Sequence, residues 1–61
     1  MSIDADFAKN MFDHHRKALI MAARYLKEGR DERLLILAEE TVEQQGEEMD
    51  QLATWLDRKG L

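Results

Sequence analysis

Residues 11–23 read "MFDHHRKALIMAA". At 100° per residue, Met11, Phe12, Ala18, Leu19, Met21 and Ala22 share one broad apolar arc of a helix, and the neighbouring His14 and His15 fall inside that arc. Phe7 and Ala8 extend the arc towards the start of the chain, and Tyr25 and Leu26 extend it the other way. The fold is therefore helical here, and the question is what two imidazoles do on its oily side.

Outward from this stretch the boundaries are few. Proline is absent, and the three glycines stand at positions 29, 46 and 60. Gly29 followed by Arg30-Asp31-Glu32 is a helix stop and a new start. Ser2 or Asp4 can cap the first helix, with Asp6 in its first turn and Lys27 in its last. Asp31 and Glu32 open the second helix, and Arg58 and Lys59 close it ahead of Gly60, so the charges suit both helix dipoles. The pattern predicts one domain over 1–61, with helix 1 over about 4–28, a turn at 29–31 and helix 2 over about 31–59. These helices would be about 37 and 43 Å long, a match suited to an antiparallel hairpin. Gly46 lies inside the second helix, where glycine costs about 1 kcal/mol relative to alanine unless a partner helix uses the gap.

Helix 2 gathers Leu34, Leu37, Ala38, Thr41, Val42, Met49, Leu52, Trp55 and Leu56 on one arc, with Gln45 and Glu48 among them. Each arc approaches half the helix circumference, more than the seam of an isolated hairpin can cover. The expected architecture is all-α, a two-helix hairpin that dimerises into a four-helix, ferritin-like bundle. Size agrees, because a 61-residue chain hides only about 60% of its unfolded surface and is marginal alone. With no cysteine, neither a disulfide nor a thiolate metal site can staple it.

The net charge of −4 and the lack of a basic stripe argue against nucleic acid as a partner. The longest apolar run, residues 18–23, is far short of the roughly 20 residues that span a membrane. "MSIDADFAKN" has no export-signal character, which leaves the compartment open. No Gly-rich phosphate loop or cysteine nucleophile points to an enzyme, and a histidine paired with Glu48 is a weak acid-base signal.

With the turn centred near residue 30, His15 stands level with Gln45 and Met11 with Met49. Histidine, methionine, glutamine and glutamate then collect in one interior layer. Adjacent residues diverge by 100°, so His14 and His15 cannot both reach one ion from a single helix. Met11, by contrast, is three and four residues before them and can meet either ring. Thioether with imidazole is a ligand set suited to copper, above all the cuprous ion. The candidate metal ligands are His14, His15 and Met11, with Gln45 and Glu48 as partners that orient the rings, and Met21 and Met49 as weaker candidates. The alternative reading is a structural or oligomerisation module whose buried His-Gln-Glu layer sets register without metal. The Glu-x-x-His pairs of di-iron bundles are missing. Glu39, Glu43 and Glu47 belong to a solvated face, where the acids of residues 39–50 are expected to pair with Arg16, Lys17, Arg24 and Lys27.

The pattern Asp4-x-x-Phe7-Ala8-x-x-Met11-x-x-His14-His15-x-x-Ala18-x-x-Met21-Ala22, then Leu37-Ala38-x-x-x-Val42-x-x-Gln45-x-x-Glu48 and Trp55-Leu56, resembles the domain-of-unknown-function 305 family of ferritin-like helical proteins. Members of that family commonly hold two hairpins in one chain, which implies that this single hairpin pairs with a copy of itself. Some members are exported and linked to copper, so the resemblance implies a copper ion as cofactor. In one departure, Met49 directly follows Glu48 and Leu52 stands where the family has a methionine.

Overall fold

The computed structural model describes residues 2–60. Two helices, α1 (Ile3–Glu28) and α2 (Glu32–Arg58), pack antiparallel as a rod of 44 × 16 × 14 Å. The expected all-α hairpin is observed, with boundaries within a residue of those read from the sequence. Ser2 is the first cap, its side chain accepting from the Ala5 N–H at 3.2 Å. Asp31 caps α2 by accepting from the Leu34 N–H at 3.0 Å, so it lies just outside the helix rather than in its first turn. Past the end of α2, Gly60 has φ +71°, the left-handed conformation that favours glycine after a helix.

Gly29 stops α1 for a different reason. Its backbone is extended (φ −75°, ψ 159°), a conformation open to any residue. The Tyr25 ring folds over it so closely that a Cβ there would overlap the ring. The Tyr25 hydroxyl then accepts from the Asp31 N–H at 3.3 Å, tying the end of α1 to the cap of α2. Gly46 is not used for such an approach, since a Cβ there would meet only Leu19 Cδ1 at an ordinary 3.9 Å.

The seam is thin. Its buried residues are Ala5, Ala8, His15, Ala22 and Ala38, and no large side chain among the described residues is fully buried. Leu19, Leu26, Leu35, Val42, Met49, Leu52 and Leu56 are half-buried along it. Leu34 and Leu37, expected beside Ala38, instead stand 49% and 56% exposed. The molecule exposes 5149 Å² in all, against about 4,100 Å² for a compact protein of 7.1 kDa.

The surplus lies mainly on one side. Phe7, His14 and Met21 are spaced seven apart and all exposed, forming a stripe down one flank of α1. On the same side of the rod α2 presents Leu34, Leu37, Glu48 and Trp55. This side is called the front. The back carries Lys9, Arg16 and Lys27 from α1 and Glu39, Asp50 and Asp57 from α2. Ile20 and Ile36 stand exposed away from the front, and nothing in the structure explains them.

Candidate functional site

The two neighbouring histidines part company. His15 points into the seam and is 7% exposed, whereas His14 is exposed on the front, their rings 6.3 Å apart and edge-on. The 100° step between adjacent residues produces this division.

His15 is held on both sides. Its Nδ1–H donates to the Met11 carbonyl oxygen at 2.8 Å, one turn back along α1. Its Nε2–H donates across the seam to Glu48 Oε1 at 2.5 Å. A carbonyl oxygen accepts only, so Nδ1 must carry hydrogen. The Glu48 carboxylate facing the other nitrogen favours the imidazolium form of the ring. The Glu48 hydrogen bond raises the His15 pKa above the ordinary 6.5, with the Met11 carbonyl acting in the same direction and burial opposing both.

This bond also fixes the register. Residue n of α1 stands level with a residue near 63−n of α2, about three later than a turn centred on residue 30 gives. His15 is therefore level with Glu48, one turn beyond the expected Gln45. Met11 is level with Leu52 and not with Met49. Gln45 makes no hydrogen bond to either ring among the described residues and sits half-buried one turn from Glu48. Met49 is half-buried in the seam. Met21, 70% exposed, lies a heptad beyond His14 and outside the histidine layer.

Three of the basic residues of α1 pair within their own helix. Arg16 and Lys17 reach Asp13 at 2.9 and 3.3 Å, and Arg24 reaches Glu28 at 3.1 Å. The cross-helix pairs expected between the bases of α1 and the acids of 39–50 do not form among the described residues; for Arg16, Lys17 and Arg24 an i,i+3 or i,i+4 partner is nearer than the opposite helix. Of the six acids in that run, Glu48 alone has an ion-pair partner among the described residues.

As ligands, the candidates are unequal. Both His15 nitrogens already donate, so no lone pair is free for a metal while the Glu48 bond stands. His14 makes no hydrogen bond among the described residues, and the half-buried Met11 lies one turn before it. Among the described residues no group of three or more His, Cys, Asp or Glu side chains gathers closely enough to hold an ion. Beside His15 on the front, Phe7, Met11, Leu52, Trp55 and Glu47 line an open groove of about 740 Å³. Sequence reasoning missed this groove, although the matching arc positions of Phe7 and Trp55 were its signal.

These features define a small all-α hairpin whose helices are joined by a hydrogen bond between the buried His15 ring and the half-exposed Glu48 carboxylate. The chain belongs to the family described as Domain of unknown function (DUF305), whose family model matches residues 4–61. Comparison with curated proteins and with solved structures gave no match.

Proposed function

We propose that this hairpin is an assembly module that works as a homodimeric four-helix bundle, with the His15–Glu48 pair setting the register of its two helices. The observation that carries the reading is the bare front: Phe7, Met21 and Leu37 are each more than half exposed on one side of a rod whose own core is mostly alanine. A 44 × 16 Å face offers about 700 Å² per copy, close to the roughly 800 Å² per partner of a stable interface. The charged back is unsuited to such burial. The test is sedimentation equilibrium at micromolar concentration, where a dimer supports the reading and a folded monomer refutes it.

A second reading, copper handling, is favoured by the free imidazole of His14 beside Met11. Thioether and imidazole suit cuprous copper, and two such pairs from two copies would supply enough donors in the dimer. Calorimetric titration with cuprous and cupric ions tests it. Binding that His14→Ala abolishes supports the site, whereas no binding tighter than micromolar eliminates it.

A further inference from the structure

We propose that the second copy docks on the front with its turn at the same end as the first, so that α1 of each copy packs along α2 of the other. The inference rests on the dimer reading and adds its orientation. Two ways of closing the front by a two-fold axis keep all neighbouring helices antiparallel. In one the axis runs along the rod, the turns lie together, and α1 faces α2 of the second copy at equal height. In the other the hairpins are head-to-tail, α1 faces α1, and α2 faces α2.

Apolar layers meet apolar layers either way, and the charges at the edges of the front decide between them. Along the edge of α1 run Asp6, Lys17, Arg24 and Glu28, and along the edge of α2 run Arg58, Glu47, Glu40 and Arg33. With the turns together, the register set by His15 and Glu48 brings each charge level with its opposite on the second copy. Lys17, which also reaches Asp13 in its own helix, meets Glu47; Arg24 and Glu28, joined to each other in the hairpin, meet Glu40 and Arg33; and Asp6 meets Arg58. Head-to-tail, like charges come level along α2: Arg33 with Arg58 of the copy, and Glu47 with Glu43, which lies just beyond the edge row.

Each exposed pair contributes little by itself, but four matched signs against two mismatched pairs favour this orientation. The same register stands His14 level with Glu48 of the second copy. The Glu48 side chain is 53% exposed and gives only Oε1 to His15. Its Oε2 is then available to accept from His14, which would close a polar layer shared by both copies.

The chain has no cysteine of its own, so Arg30→Cys in the turn takes a single nitroxide label per copy. Electron-electron distance measurement, paired with sedimentation of the same sample, separates the outcomes. A dimer with labels about 15–25 Å apart supports the proposal, as expected from helices packed about 10 Å apart. A dimer with labels near the 44 Å length of the rod overturns the orientation and leaves the dimer standing. A folded monomer overturns both. As a second arm, Lys17→Glu is expected to weaken the dimer about tenfold, and adding Glu47→Lys to the same chain restores it. Failure of that rescue in a dimer that K17E has weakened contradicts the pairing of α1 with α2.

Discussion

His15 and Glu48, thirty-three residues apart in the chain, are joined by a 2.5 Å hydrogen bond that crosses the seam at mid-height of the rod. It is the sole ion pair between the two helices among the described residues, and one of its partners is buried. The alanines around it allow close approach but specify little, so this bond carries much of the information about register.

A nuclear magnetic resonance titration of the ring checks its charge. His15 should lose its proton above the ordinary pH 6.5, because the Glu48 carboxylate favours the imidazolium. In Glu48→Gln the His15 pKa should fall. An unshifted His15 in the native protein contradicts the geometry described here.

Stability should follow with a definite sign. The folded pKa of His15 is raised above that of the unfolded chain, so the folded state holds the proton more tightly. The stabilisation is fully present below about pH 6.5 and fades as pH climbs through the raised value. At fixed protein concentration, the urea midpoint should be higher at pH 6 than at pH 9, and Glu48→Gln should flatten the difference. The substitution itself should cost about 1 kcal/mol at pH 6, a modest figure because Glu48 is half exposed.

Gly46, inside α2, and Gly29, at the end of α1, should respond in opposite directions. Gly46→Ala adds a Cβ into ordinary contact with Leu19, so it should stabilise by about 1 kcal/mol through helix propensity. Gly29→Ala drives its Cβ into the Tyr25 ring and should destabilise by about 1–3 kcal/mol. Combining it with Tyr25→Ala should cost less than the sum of the two single changes. Denaturant melts of the four variants measure both effects.

Helices, caps and the hairpin were legible in the sequence because capping chemistry and apolar period agree at every end. The pairing of His15 with Glu48 instead of Gln45 was not, since a three-residue offset in register leaves the apolar arcs equally well matched. The division between seam and front was also hidden. Leu34, Leu37 and Met21 read as one arc with Ala38 and Ala22 because a helical wheel does not say which part of a wide stripe faces the partner helix. Among the candidates only Glu48 and the Met11 carbonyl bond to a histidine ring, and whether a buried ring donates or ligates depends on its neighbours' atoms, which spacing does not fix.

The front should tolerate apolar change and reject charge. Leu37→Lys, 56% exposed in the hairpin, should leave the helix content unchanged but weaken self-association about a hundredfold by placing an ammonium in an apolar interface. Ile36→Lys, on the adjacent position away from the front, should leave association intact. Equal effects from the two would remove the front from the account.

The most direct measurement is sedimentation equilibrium of the native chain at several micromolar concentrations with helix content followed in parallel. The account predicts a helical species of twice the mass of one chain that Leu37→Lys converts to monomer. A native chain that stays helical and monomeric throughout the range, its front exposed to water, contradicts it.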